Sequence, residues 1–260
     1  MAHGKFQDIF LKKKYGQHFL TDQRVVDHMI DAVEINNASV IEIGPGGGFL
    51  TKSILQCPIA RLWAFEIDPD WAGYITETYS CKELTVFHEN FLDIDFSMFD
   101  EHKPWTVLAN LPYQVTFPIL HRFQQHRHLL KEGVVMVQEE VAQKIVKTKG
   151  RGYGFPSLFF QHFFDWKLMD KIPPTAFNPP PKVFSRLLYF KTKQNVPEIE
   201  NEAEFWKFIK ICFKQPRRTL RNNLMQSHYD MNKLSEELLN QRAQQLDMKD
   251  LLVIWHDLNK

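Results

Sequence analysis

Ser39-Val40-Ile41-Glu42-Ile43-Gly44-Pro45-Gly46-Gly47-Gly48 decides the fold. A short β-branched run stops in a cluster of glycines, and a helix is predicted to begin near Gly48, so strand, tight loop and helix follow in succession. Glycines in that place let the backbone approach a ligand and adopt positive φ. The same alternation repeats outward from this stretch. Arg61 to Glu66 reads as the next strand, and Asp68-Pro69 stands where a helix N-terminus is expected. Leu84 to His88, Trp105 to Ala109 and Gly133 to Gln138 supply three more strands, each followed by a turn or helix. Phe163 to Met169 and Phe184 to Lys191 form a terminal strand pair. Between them Ile172 to Pro181 carries five prolines, which predicts a stiff loop and not a strand. The pattern predicts an α/β fold, a mostly parallel Rossmann-like sheet with helices on both faces.

After Lys193 the periodicity changes. Asn195-Val196-Pro197 reads as a linker, and only helical spacing follows, as in Phe205, Phe208, Ile209, Ile211 and Cys212. Pro216 is suited to open a helix at its first position, and Leu251 to Leu258 closes the chain. Two domains are therefore expected, residues 1–194 carrying the sheet and 195–260 forming a small all-helical domain. Hydrophobic residues at 44% and charged residues at 24% fit a packed globular chain and not a disordered one. Cys57, Cys81 and Cys212 lie far apart, with no metal-binding spacing and no disulfide framework, which suits a reducing compartment. No secretory leader and no membrane-spanning run is legible, so a soluble, cytoplasmic protein without metal or membrane partners is expected.

The net charge of +1 conceals strong segregation. Between Trp63 and Glu101 there are ten acids and one base, whereas Phe205 to Asn223 carries six bases and no acid. Lys12 to Lys14, and Lys144, Lys147, Lys149 and Arg151, make two further basic groups. Any one of them could be a solvated helix face, but three in one chain suit a polyanion.

Candidate site residues fall at successive strand ends, where an open α/β sheet places its ligands. Gly44 and Gly46 form the glycine loop, and Glu66 closes the second strand about twenty residues later, where a carboxylate can accept both hydroxyls of a ribose. That pair identifies a ribose binder more surely than it chooses between NAD and S-adenosylmethionine. The spacing favours the latter, since Phe49 stands where a dinucleotide fingerprint needs its third glycine. Asn90, after the third strand, is placed to meet an adenine amine, although Glu89-Asn90 also has the composition of a plain turn. The fourth strand delivers Asn110-Leu111-Pro112-Tyr113. An exocyclic amine on adenine is a poor nucleophile because its lone pair is delocalised into the ring. A side-chain amide oxygen and a neighbouring backbone carbonyl can each accept one N–H and direct the lone pair toward an electrophile. Pro112 restricts the turn, and Tyr113 offers a stacking face.

With these residues in view, the chain resembles the small-subunit ribosomal RNA adenine dimethyltransferases of the bacterial KsgA type, the RsmA family, and their eukaryotic relatives. Lys14-Tyr15-Gly16-Gln17-His18-Phe19-Leu20 is similar to the family's N-terminal element, Glu42 to Gly46 to its Glu-Ile-Gly-Pro-Gly loop and Asn110 to Tyr113 to its Asn-Leu-Pro-Tyr signature. Val137 to Ala142, Tyr153-Gly154, Phe177 to Val183 and Arg217 to Leu224 match later elements in the same order.

The resemblance implies a methyltransferase sheet using S-adenosylmethionine. It also implies dimethylation of N6 on two adjacent adenosines in a hairpin loop near the 3′ end of 16S rRNA, in an immature small subunit whose biogenesis it assists. Carried over by position, His18, Leu20, Gly44, Gly46, Glu66, Asn90 and Asn110 line the cofactor. Asn110, Leu111, Pro112 and Tyr113 grip the base, and Phe177 closes on its other face. A monomer with a helical rRNA-binding domain is expected. His18, Asn90 and Gln114 depart from the family's more usual Asn, Asp and Asn. The large-subunit resistance methylases share the chemistry, but Leu111 and the Phe177 to Val183 segment argue against them. A role in ribosome assembly or, as in a mitochondrial relative, transcription is the reading from another class.

Overall fold

The computed structural model describes residues 18–259. The Lys12 to Lys14 group and residues 14–17 of the N-terminal element lie outside the described residues. The chain divides into two compact units. One runs to Ala142 and resumes over Trp166–Thr192, and the other comprises Gln143–Asp165 and the chain from Lys193 onward.

The first unit is built on a seven-stranded sheet. Its strands in chain order are β2 (Ser39–Ile43), β3 (Arg61–Phe65), β4 (Leu84–Phe87), β5 (Trp105–Asn110), β6 (Leu130–Gln138), β7 (Phe164–Ile172) and β9 (Ser185–Thr192). Their spatial order is β4-β3-β2-β5-β6-β9-β7. Pairings from β4 across to β6 are parallel and β6 with β9 is antiparallel. All five residues of β2 are buried, as expected of a parallel strand covered on both faces. The chain steps from β2 to β3 to β4 in one direction and then returns to place β5 on the other flank of β2. That reversal opens a crevice beyond the ends of β2 and β5.

One face of the sheet buries Val40, Leu62, Leu108, Val134, Met136 and Leu187 against α1 (Gln23–Asp31) and α2 (Phe49–Ile54). The opposite face is aromatic. Phe91 and Phe190 each approach Phe123 of α4 (Thr116–Gln125), and Phe99 meets Trp105 at 5.2 Å. Helix α3 (Pro69–Thr78) starts where Asp68-Pro69 predicts, the Asp68 carboxylate accepting from Asp70 N at 3.1 Å.

Three local expectations are corrected. Strand β6 begins at Leu130, before the Gly133 read from sequence, because Glu132 hides the apolar pattern. It is buried, accepting from Tyr189 Oη at 2.7 Å and from Glu34 N at 3.2 Å. The proline-rich segment contains a two-residue strand, β8 (Phe177–Asn178), antiparallel to β1 (Phe19–Leu20), with Leu20 opposite Phe177. Pro216 opens no helix. Helix α8 (Leu220–Leu224) starts after Thr219, whose hydroxyl caps it.

The second unit is helical, but its boundary is not at residue 195. It includes the end of α5 (Glu139–Val146) and all of α6 (Phe155–Phe163), which join α7 (Glu202–Cys212), α8, α9 (Glu236–Asn240) and α10 (Met248–Asn259). Helix α6 is apolar around most of its circumference and needs cover on more than one side. Phe159 meets Trp206 of α7 at 5.0 Å, Tyr153 meets Phe213 at 5.6 Å, and Gly150 N donates to Gln244 O at 3.1 Å.

Candidate active site

The glycine loop leaves β2 through residues that only glycine suits. Gly44 has φ 68° and Gly46 φ 51°. A β-carbon at Gly46 would stand 2.4 Å from the Phe19 ring, whereas at Gly44 it would enter open space. Gly44 N donates to Phe65 O at 2.9 Å, tying the loop to the end of β3.

Glu66 follows that strand end and is 5% exposed. Its two oxygens accept from Gly46 N at 3.0 Å and Asp68 N at 2.9 Å, so one carboxylate joins the glycine loop to the start of α3. Burial raises its pKa against the lowering effect of those N–H groups. Glu42, on β2 itself, is 1% exposed and accepts from Thr51 Oγ1 at 2.8 Å. Burial, opposed by the Thr51 bond and reinforced by the nearby Glu66 charge, pushes its pKa up to about 8. At neutral pH Glu42 is mainly the neutral acid.

Asn90 sits past β4. Its Nδ2 donates to Asp93 at 2.7 Å and its Oδ1 accepts from Leu92 N at 3.2 Å, which orients the amide and leaves the oxygen a second lone pair. Asn110 ends β5, and its Nδ2 donates to His18 O at 3.2 Å. The amide nitrogen is thus turned to the backbone, and Oδ1 is the atom left to accept. Pro112 leads into a single 3-10 turn, Tyr113–Val115, closed by Val115 N to Pro112 O at 3.1 Å. Tyr113 Oη lies 2.7 Å from Ser185 Oγ.

A cavity of about 480 Å³ is lined by His18, Leu20, Gly44, Gly46, Glu66, Asn90, Asn110, Leu111, Pro112 and Tyr113. Ten candidates drawn from four strand ends and the N-terminal element therefore share one space.

Phe177 is the exception and is not among the residues that line this cavity. It is 4% exposed and packs in the core with Leu20, Val25 and Ala176, because pairing opposite Leu20 turns it inward. Its neighbour Asn178 lines the cavity instead. The ring beside Tyr113 is His18, with centroids 6.1 Å apart and planes at 27°. His18 Nδ1 is 2.8 Å from Pro179 O, and since a carbonyl can only accept, that nitrogen carries the proton. Sequence reasoning also left Glu42 and Ser185 unassigned. A carboxylate within the run Val-Ile-Glu-Ile was a visible signal for the first, but nothing in the sequence links Ser185 to Tyr113. Among the described residues no group of three or more His, Cys, Asp or Glu could hold a metal, and no helix is long and apolar enough to cross a membrane.

The model of the family "Ribosomal RNA adenine dimethylase" matches residues 10–259. Ribosomal RNA small subunit methyltransferase A of Chlorobium phaeobacteroides is 34% identical over 256 residues, covering 98% of this chain and 93% of that protein. The protein of the same name from Mycoplasma mobile is 32% identical over 255 residues, covering 95% and 98%. Among solved structures, a dimethyladenosine transferase from Plasmodium falciparum superposes with a TM-score of 0.78 at 22% identity, covering 93% of this chain and 98% of that one. The 23S rRNA methyltransferase ErmE gives 0.72 at 19% identity, covering 93% and 100%. At these identities the structural likeness speaks for the fold.

Proposed function

The chain belongs to the ribosomal RNA adenine dimethylase family, and from that premise we propose that it dimethylates N6 of two adjacent adenosines in a hairpin loop near the 3′ end of 16S rRNA. The observation that carries the reading is that Asn110 to Tyr113 open into the same cavity as the glycine loop and Glu66. A base grip and a ribose-binding carboxylate then face one space.

The residues present fit S-adenosylmethionine. Gly44 leaves open room at the loop, and each Glu66 oxygen, already holding one N–H, keeps a lone pair for a ribose hydroxyl. Leu20, Gly46 and Asn90 complete that side, with Asn90 Oδ1 as an acceptor for an adenine amine. When bound, the cofactor supplies a methyl group on an electrophilic sulfonium. Asn110 Oδ1 and the Leu111 carbonyl accept the two N–H bonds of the target amine and aim its lone pair, while Tyr113 stacks on the ring. Stacking of a splayed-out base contributes about 1 to 3 kcal/mol, comparable to its unstacking cost. His18 contributes its carbonyl to the orientation of Asn110 and its ring to the Tyr113 side of the same cavity. Catalysis is mainly positioning, and the amine proton passes to water.

The helical unit gathers two of the basic groups, Lys144 to Arg151 and Lys207 to Arg221, and we assign it the grip on rRNA phosphates. The protein acts as a monomer on an immature small subunit in the cytoplasm. The test is incubation with labelled S-adenosylmethionine and unmethylated small subunits, followed by nucleoside analysis. Dimethyladenosine in 16S rRNA is expected from the native chain. Asn110→Ala loses at least about a hundredfold in transfer while still binding cofactor. Native turnover in Asn110→Ala would sink the base grip.

A further inference from the structure

We propose that Ser185 is a positioning residue for Tyr113, and that the hydroxyl tether between them governs the second methyl transfer more than the first. The inference rests on the reading above, in which Tyr113 stacks on the target adenine.

Tyr113 and Ser185 are 72 residues apart and meet at 2.7 Å between their hydroxyl oxygens. They are unequal partners. Tyr113 is half-buried in a single 3-10 turn, an element with little rigidity of its own, whereas Ser185 is fully buried at the first position of β9. Three elements fix the backbone there. Ser185 pairs with Gln138, the last residue of β6. Next to it, Arg186 donates to both oxygens of Glu139 at 2.6 and 2.8 Å, and its Nη1 donates to Met169 O on β7 at 2.8 Å. The serine hydroxyl is therefore a fixed post and the tyrosine is the movable arm.

The geometry of a phenol makes this tether specific. The hydroxyl oxygen lies on the ring's long axis, so a bond to it fixes where the axis points and leaves rotation about the axis free. The His18 ring beside Tyr113, held in turn by Pro179 O, limits that rotation. Together they hold a stacking surface in one orientation before a base arrives.

The two methyl transfers depend on this surface unequally. Unmodified adenine offers two N–H bonds, to Asn110 Oδ1 and the Leu111 carbonyl, and both orient it. After one methylation a single N–H remains. The base then has one hydrogen bond in the grip, and its angle to the methyl donor relies more heavily on stacking against Tyr113.

The test compares native protein, Ser185→Ala, Tyr113→Phe and the double variant in single turnover on unmethylated small subunits. Monomethyl- and dimethyladenosine are followed in time, and S-adenosylhomocysteine affinity is measured by calorimetry. Ser185→Ala is expected to slow the first transfer by no more than about threefold and the second by about tenfold, so that monomethyladenosine accumulates. Tyr113→Phe should match it, and the double variant should match either single one, because all three lack the same bond. Cofactor-product affinity stays within about twofold of native, as expected when only base presentation changes.

Equal slowing of both steps, rate losses that multiply in the double variant, or a parallel fall in cofactor-product affinity would each overturn the tether. So would native product ratios in Ser185→Ala. Should Ser185→Ala not fold, Tyr113→Phe removes the same bond from a half-buried ring, and monomethyladenosine accumulation or its absence there decides alone. Asn110→Ala run in parallel separates the two levels. Native turnover in it removes the underlying base grip, whereas its inactivity together with native product ratios in the tether variants removes only the role of Ser185.

Discussion

Glu42 shows at the scale of one residue how a site sets its own pH response. Its carboxyl is moved from the ordinary 4.5 to about 8, chiefly by burial. The folded chain thus holds this proton at pH values where the unfolded chain has released it. The sign follows: the stability Glu42 contributes is complete below about pH 4.5 and is lost as pH rises through about 8. Glu42→Gln keeps an oxygen for the Thr51 hydroxyl but cannot ionise. Its melting temperature should lie close to native at about pH 4.5 and rise progressively above native up to about pH 8, with a flatter profile over that span. Glu66 is shifted in the same direction, chiefly by burial, and that burial is common to both proteins. Parallel melting profiles for the two proteins from about pH 6 to about pH 9 would show that Glu42 does not carry the shift. The residue stood inside the stretch from which the fold was read, yet its chemistry depends on Thr51 and Glu66, which only folding brings to it.

At the scale of elements, what was legible is what announces itself locally. The run Ser39–Ile43 before glycines, and Asp68-Pro69 before α3, each signal an element within a few residues, and the structure places both there. The pair β1 and β8 carries no such signal. Two residues show no alternation, and the partner lies among prolines about 157 positions away, so the pairing exists only through tertiary contact. Its consequence is chemical, because it turns Phe177 into the core and leaves Asn178 on the cavity. Phe177→Leu preserves a large apolar side chain in that core, so it should cost about 1 kcal/mol of stability and leave methyl transfer within about twofold of native. Turnover at a temperature safely below both melting points, measured beside the melting curves, separates the alternatives. A tenfold or greater loss of transfer with an unchanged melting temperature would return Phe177 to the base.

At the scale of the whole molecule, the α/β character was legible because the strands recur along the chain, whereas the division into units was not. A helix read between β6 and β7 is assigned by default to the sheet that flanks it, and nothing in Phe155–Phe163 says what covers its apolar faces. The folded chain does: Trp206 lies against Phe159 and Phe213 against Tyr153. A chain cut after residue 194 would keep α6 and lose that cover, exposing several aromatic side chains of roughly 150 to 250 Å² each. It should bind a hydrophobic dye and lack a cooperative melting transition for that segment. A sharp native-like melt without dye binding would put the boundary back at 195. The same division places ten bases of the two basic groups in one unit, including the exposed pair Arg217 and Arg218. If this unit grips rRNA phosphates, every phosphate left without its arginine keeps its counterions and withholds that part of the release that drives binding. Replacing both arginines by glutamine should weaken small-subunit binding at low salt. It should also reduce the slope of log affinity against log salt concentration by about 1 to 2, while leaving cofactor affinity unchanged. An unchanged slope would mean that these two arginines face solvent in the complex and that the phosphate grip lies elsewhere in the chain.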